Sequence, residues 1–256
     1  MKQGKLYQSL ARPVAVLSCV VVSAVSATAQ VPTSDWVHQI MRLPGNDQVA
    51  QSWQKQIERL ERLILKGKSD RALTEGAKLA KEMVSLSAGG SGQMLGTVNL
   101  LRAVAAQDLG EERQALWLWQ TNLQIVPELT RVDLAPFGEG VDVLQRHRPQ
   151  VDEATKARRA EEVQQSGVTE PVKKHTPPPT FPPATPETGS VEVVVSVIID
   201  QQGHPTRPLI LRADGDVTLV LTALETFGQW EFEPATRDGE PIEFITNLTV
   251  RYRTKG

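Results

Sequence analysis

The sequence predicts an α+β protein in which a helical N-terminal part precedes a small antiparallel sheet covered by one helix. Between Asp47 and about Leu129, apolar residues recur every three or four positions, which is the spacing of buried helix faces. From about Ser190 to Arg253, they alternate with a period of two, and one helical stretch interrupts them. The order there is strand, turn, strand, helix, strand. A proline-rich segment separates the two patterns.

The N-terminus has the form of a secretory signal. Lys2, Lys5 and Arg12 precede an apolar run over residues 13–25, and Ala27-Thr28-Ala29 has small residues on both sides of a cleavage position. We predict a signal peptide over residues 1–29 and a short segment over residues 30–46. The alternative is an uncleaved anchor, although the apolar run is shorter than the roughly 20 residues that a membrane span needs.

The composition excludes several classes of protein. The net charge of −2 gives no reason to expect nucleic acid or an acidic substrate as a partner. Hydrophobic residues make up 40% of the chain, enough for real cores, while 23% charged residues describe a water-soluble surface. The single cysteine, Cys19, lies in the predicted signal peptide, so the mature chain would have neither a disulfide nor a cysteine–zinc site.

Residues 47–150 are predicted to form a domain of helical hairpins. Buried faces are indicated by the following positions, in chain order: Val49, Trp53, Ile57, Leu60 and Ile64; Leu73, Ala77, Ala80 and Val84; Met94, Val98, Leu101, Val104 and Ala105. A fourth helix is predicted from Glu111 to about Val126. Glycines interrupt the pattern at residues 89, 90, 92 and 110.

A weak internal repeat suggests hairpins of tetratricopeptide type. Gly67 and Gly110 are each followed at the same offset by an Ala-Leu pair, Ala72-Leu73 and Ala115-Leu116. The spacing of the two glycines exceeds the roughly 34 residues of that repeat, and two hairpins are fewer than the usual minimum of about three repeats. Helical hairpins and a true repeat array therefore remain alternatives.

The predicted fourth helix carries two tryptophans on different faces, Trp117 and Trp119. We expect one of them to pack in the core. The other is expected either to be partly exposed or to mark a surface for a partner, because aromatic side chains are favoured at interfaces.

Residues 151–189 are predicted to be a linker that is first charged and then proline-rich. Seven prolines fall between Pro171 and Pro186, which excludes a helix and favours the extended polyproline II conformation. At about 3.1 Å per residue, residues 168–189 would reach roughly 70 Å.

Residues 190–256 are predicted to form the C-terminal domain, a three-stranded antiparallel sheet with one packed helix. Strands are expected over residues 191–200, 207–212 and 244–253, and the helix over residues 217–230. Gly203 lies in the first turn, where it can adopt a positive φ. An open sheet has edges, and a free edge strand can pair with another chain.

The end of the predicted helix and the residues after it resemble the C-terminal domain of the TonB energy-transducer family. The resemblance lies in Ala223-Leu224-Glu225 and in the sequence QWEFEPATRDGEP over residues 229–241. It implies a domain that does no chemistry and whose last strand receives a short extended peptide of an outer-membrane transporter. The candidate contact residues are then Ile245, Thr246, Asn247, Leu248, Thr249, Val250, Arg251, Tyr252 and Arg253. Arg251 and Arg253 would either attract a peptide carboxylate or protect the edge by their charge.

The chain departs from that family in two features. Members normally keep an N-terminal membrane helix that contains a histidine and couples to a proton-driven motor, whereas residues 13–25 contain no histidine. Members also carry a longer proline-rich span. We therefore expect a protein of the Gram-negative periplasm, with an inner-membrane anchor as the alternative. Energy transduction through such an uncleaved anchor is a further hypothesis.

No constellation of catalytic or metal-binding residues is evident. The four histidines, His38, His147, His175 and His204, are scattered and none pairs with metal-ligand spacing. We predict no enzymatic activity, no cofactor and no metal. The expected partners are an outer-membrane transporter on the C-terminal domain and a second protein on the helical domain. In the alternative, a periplasmic scaffold, the helical domain is the main binding site and the C-terminal domain mediates assembly.

Overall fold

The computed structural model describes residues 47–85, 92–149, 168–179, 190–215 and 217–253. The predicted signal peptide, its cleavage site and the charged part of the linker lie outside these residues. Within them, none of the helices combines the length and the apolar character that crossing a membrane requires.

The N-terminal part consists of the four helices that the apolar spacing predicts. They are α1 (Asp47–Leu65), α2 (Ser69–Ser85), α3 (Gly92–Asp108) and α4 (Glu112–Ile125). Each packs against the next along the chain. Three short 3₁₀ helices (Pro127–Arg131, Ala135–Phe137 and Glu139–Val141) and the short α5 (Asp142–Arg146) complete this part. The likeness to tetratricopeptide hairpins stays a prediction.

Helix α3 lies at the centre of the helical part. It contacts α1, α2 and α4, and every residue from Met94 to Ala106 is buried. A helix enclosed on all sides is expected to be apolar all round. Arg102 on α3 departs from this rule, and its partners are described below.

The C-terminal part contains seven strands among the residues described. They are β1 (Val172–His175), β2 (Ser190–Ile199), β3 (Pro205–Asp214), β4 (Glu231–Glu233), β5 (Ala235–Arg237), β6 (Glu240–Ile242) and β7 (Phe244–Arg253). Helix α6 (Val217–Phe227) follows β3. The antiparallel order β3–β2–β7 confirms the predicted three-stranded sheet, while β1 pairs with β4 and β5 with β6.

One face of this sheet packs against α6. Val193, Val195 and Val197 of β2 are fully buried, and they share a core with Leu224 and Phe227 of α6. This agrees with the apolar stripe that the sequence shows on the helix. Gly203 makes the turn between β2 and β3 at φ 86°. Its carbonyl accepts a hydrogen bond from the Phe232 N–H at 2.8 Å, and an added Cβ would lie 1.8 Å from the Phe232 carbonyl oxygen.

Part of the predicted linker lies on the C-terminal domain. Strand β1 falls within it and pairs with β4. The Trp230 indole N–H donates to the Pro177 carbonyl at 3.0 Å, and the Lys173 ammonium lies 5.2 Å from the centre of the Trp230 ring. Thr169 N–H donates to the Thr236 carbonyl at 3.0 Å. Residues 168–179 therefore do not span free space.

Helix α4 packs against α6 and joins the two parts of the protein. The Trp117 indole N–H donates to the Leu224 carbonyl at 2.7 Å. The ring lies so close to Gly228 that an added Cβ there would be 2.6 Å from it. Trp117 and Trp119 are both buried, with 5% and 1% of their surface exposed. The expectation that one of them is partly exposed is wrong, because the C-terminal domain covers the second face of α4.

An ion pair between buried Arg102 and the partly exposed Glu225 forms a second connection between the two parts. Arg102 is 4% exposed. Its Nη2 lies 2.7 Å from Glu225 Oε1 on α6, and its Nη1 donates to Asn99 Oδ1 at 3.0 Å. Gly76 makes room for this side chain, since a Cβ there would lie 2.8 Å from Arg102 Cγ. A buried guanidinium is costly unless it is paired, so this pair favours one arrangement of α3 and α6.

The apolar residues of both parts form one contiguous core around α6. The helical part and the sheet should therefore unfold together.

We expect Trp117→Phe to lower the free energy of unfolding by about 1 kcal/mol more than Trp119→Phe, because only the first removes a hydrogen bond. Among the described residues, the Trp119 indole nitrogen has no hydrogen-bond partner, which makes Trp119→Phe the matched control. Urea unfolding checks this, and equal losses in the two variants would contradict it.

Candidate partner-binding edge

Strand β7 forms one border of the sheet. It pairs with β2 through ten consecutive residue pairs, from Ser190↔Arg253 to Ile199↔Phe244, without a bulge. In the part of the chain that the structure describes, no strand pairs with its other side. The segment also contains neither proline nor glycine. Strand β7 is therefore a long, regular edge.

Strand β3 forms the opposite border, and its edge is irregular. Its pairing with β2 is interrupted twice, between Val194 and Val195 and between Ser196 and Ile198. It contains Pro205 and Pro208, and Arg207 between them has a positive φ of 48°. Bulges and prolines are features by which proteins prevent unwanted pairing at a sheet edge. The two borders of the sheet therefore differ in kind.

A side chain of α4 binds the outer backbone of β3. The Ile210 N–H donates to Gln124 Oε1 at 2.8 Å, and Gln124 Nε2 donates to the Pro208 carbonyl at 2.9 Å. Since α4 lies outside the sheet, the polar backbone groups of Pro208 and Ile210 point away from β2. A proline is tolerated at such a position because the missing N–H would not have joined the ladder.

The direction of these two groups determines which backbone groups of β7 face outward. Polar groups of successive residues alternate between the two sides of a strand. The backbone N–H and C=O of Leu209 therefore point to β2, and those of its partner Ser196 point to β3. The neighbouring residues of β2, Val195 and Val197, must then direct their polar groups to β7.

The candidate contact residues of β7 consequently fall into two sets. Leu248 is the partner of Val195 and Thr246 of Val197, so their backbone groups bond to β2. By alternation, the groups that face β2 belong to Thr246, Leu248, Val250 and Tyr252, and those that face outward belong to Ile245, Asn247, Thr249, Arg251 and Arg253. The side chains follow a related pattern, since Leu248 and Val250 are buried and Asn247, Thr249 and Arg251 are exposed.

Charged side chains cross the sheet on the face opposite α6. Glu192 Oε2 lies 2.7 Å from an Arg212 nitrogen, and the other oxygen of Glu192 pairs with Arg251. The hydrogen bond to Asp214, together with the charges of Asp214 and Glu192, raises the pKa of Arg212. Arg251, which we expected either to attract a peptide carboxylate or to protect the edge, is thus already paired. Exposed ion pairs contribute at most about 1 kcal/mol, so a carboxylate on an incoming peptide can still compete for it.

The described residues hold no group of three or more His, Cys, Asp and Glu side chains that could bind a metal ion. His147, His175 and His204 lie on α5's C-cap, on β1 and before β3, while His38 lies outside the described residues. His204 Nδ1 lies 3.8 Å from Asp200 Oδ1. This pair belongs to the turn between β2 and β3.

Comparison with known proteins identifies the C-terminal part. Residues 177–254 match the family model described as Gram-negative bacterial TonB protein C-terminal. They form a TonB-type C-terminal domain. The resemblance at the helix exit is thereby confirmed, and the match does not extend to residues 47–149.

A curated relative agrees with the family match. Protein TonB of Vibrio cholerae serotype O1 (strain ATCC 39315 / El Tor Inaba N16961) is 30% identical over 64 residues. This similarity covers 25% of the present chain and 26% of the Vibrio protein. The chain thus spans about a quarter of the length of that relative, and the similarity concerns a single domain.

The sequence did not predict the contacts between the helical part and the C-terminal domain. Gln124 is an ordinary polar residue of an amphipathic helix, and nothing in its neighbourhood points to β3. Arg102 gave a weak signal, because a charged residue within the apolar sequence LLRAVAA needs a partner when it is buried. Trp117 gave a signal for an interface, and the interface is intramolecular.

The alternation on β7 can be measured directly. We expect the amides of Asn247, Thr249 and Arg251 to exchange with solvent deuterium much faster than those of Leu248 and Val250, because only the latter two are bonded to β2. NMR-detected hydrogen exchange on the unbound protein checks this. Slow exchange at all five amides would show that the outer side of β7 is already occupied.

Proposed function

We propose that this protein is a non-enzymatic component of the Gram-negative cell envelope that binds an extended segment of an outer-membrane transporter as a fourth strand on β7. The observation that carries the proposal is the contrast between the two borders of the sheet. Strand β3 has bulges, prolines and the contact with Gln124, whereas β7 is free of bulges, ten residues long and unpaired on its outer side within the described residues. The TonB-type identity of the domain supports the same surface.

Binding by strand addition would use the outward-facing backbone N–H and C=O groups of β7. Each backbone hydrogen bond to an incoming segment contributes about 0.5–1.5 kcal/mol net. Asn247 and Thr249 present exposed side chains next to those groups, so they are placed to select among segments that offer the same backbone. Because a regular ladder needs a regular template, the absence of bulges along β7 favours this mode of binding.

The rival function is a scaffold in which the helical part is the main binding site. The Trp117 face of α4, the aromatic surface that favoured that function, packs on α6 instead. Because this face is covered, the expectation of a second partner protein on the helical part has no support. We therefore propose that the helical part chiefly supports the TonB-type domain.

The proposal places the protein in the periplasm. Energy coupling through the alternative of an uncleaved anchor would involve the apolar run at residues 13–25, which lies outside the described residues. The reach from such an anchor would also be shorter than the linker length suggests, because residues 168–179 are folded onto the domain. We accordingly propose segment binding as the function and leave transduction as an addition to it.

A proline at Thr249 tests the proposal. Thr249 is exposed and its N–H faces outward, so Thr249→Pro should remove a donor from the free edge while sparing the ladder to β2. We expect affinity for synthetic peptides that copy periplasm-facing segments of the host's outer-membrane transporters to fall roughly tenfold or more. Titration calorimetry or fluorescence polarisation with the full chain provides the measurement.

Thr249→Ala is the matched control, because it removes the same side chain and retains the N–H. It should bind nearly as well as the wild type, and both variants should keep the wild-type circular dichroism spectrum. Undiminished binding by a folded Thr249→Pro variant would refute strand addition on β7 and would favour the scaffold function.

A further inference from the structure

Strand β3 has outward-facing backbone groups like those of β7, but Gln124 of helix α4 binds two of them, the Pro208 carbonyl and the Ile210 N–H. We propose that Gln124 acts as an edge cap, meaning a side chain that takes the hydrogen bonds of an absent fourth strand, and that this cap prevents two copies of the chain from pairing through β3. The existence of the cap does not depend on the proposed function. Only its purpose rests on that function, because a closed β3 edge restricts strand addition to β7.

The geometry of Gln124 matches the role of a strand. One residue of an adjacent parallel strand would offer an acceptor and a donor to residues two apart on β3. The carboxamide likewise offers its oxygen to Ile210 and its nitrogen to Pro208. The second N–H of the carboxamide donates to the Gln120 carbonyl at 3.0 Å on the same helix. The amide is therefore held in one orientation by its own helix while it binds the strand.

Helix packing brings Gln124 to this position. Trp117 and Gln124 are seven residues apart, which is about two helical turns, so they lie on the same side of α4. Trp117 is bound to α6 beneath the sheet, and Gln124 then reaches the border of the sheet. The interface between the two parts of the protein and the edge cap are thus one structural arrangement.

The apolar half of β3 is the segment that needs a cap. The prolines and one irregularity in the pairing lie at residues 205–208, and the second irregularity lies at Leu211, between Ile210 and Arg212. Leu209, Ile210 and Leu211 nevertheless form a run of large apolar residues. A run of this kind at an uncovered edge is prone to pair with an identical strand. Two copies of β3 could do so antiparallel about a two-fold axis, in which each strand uses the same residues. Ile210, whose N–H binds Gln124, lies within that run.

Gln124→Leu in the full chain tests the cap. The change keeps most of the side-chain volume and removes both hydrogen bonds to β3. Gln120→Leu is the matched control, because Gln120 lies one turn earlier and donates to the His147 carbonyl, not to β3. Hydrogen exchange of β3 amides is measured at low and high protein concentration, together with sedimentation velocity. No partner peptide is present, so the result does not depend on whether β7 binds one.

We expect the Ile210 amide of Gln124→Leu to exchange roughly tenfold faster or more at low protein concentration, because it loses its acceptor. At high concentration, protection at β3 should return and the sedimenting mass should rise, while the wild type and Gln120→Leu show neither change. The proposal is overturned if the Ile210 amide stays protected in Gln124→Leu. It is equally overturned if exchange at β3 remains fast at every concentration with no rise in mass above the wild type.

Discussion

The burial of α6 on two sides is the constraint on which the rest of the structure depends. The sheet covers one side of this helix, and α4 and α3 cover another through the Trp117–Leu224 hydrogen bond and the Arg102–Glu225 ion pair. A domain that ended at the sheet would leave much of this apolar helix exposed to water. The helical part therefore completes the core of the TonB-type domain, which explains why the buried residues of both parts form a single core.

The same docking makes the two borders of the sheet different. Once α4 lies on α6, its last turns reach β3, and Gln124 takes up backbone groups that would otherwise be free. Nothing comparable lies along β7 in the described part of the chain. One edge of the sheet is thus capped, bulged and interrupted by proline, and the opposite edge is long and regular. This arrangement is expected of a sheet that accepts a strand on one side only. The open edge that we propose as the binding surface and the capped edge are thus both consequences of one packing arrangement.

Local pattern predicted the elements well, and long-range contacts account for what it could not predict. Alternation of apolar residues located Phe244–Arg253 as a strand, and the helix-exit residues identified the type of domain. The helical spacing located α1 to α4. The contacts of Gln124, Trp117 and Arg102 join residues 84, 107 and 123 positions apart in the chain. No periodicity within one element carries information about such pairs, and the tryptophan that resembled an exposed residue was covered by a distant part of the same chain.

The most direct test of the account is the change in amide exchange of the full chain when a transporter peptide binds. If the peptide adds as a strand to β7, protection should increase at the alternate residues Asn247, Thr249 and Arg251 and stay unchanged along β3. This follows because new backbone bonds form only on the outward side of the open edge. Protection gained instead along α1 to α4, or at β3, would contradict the account.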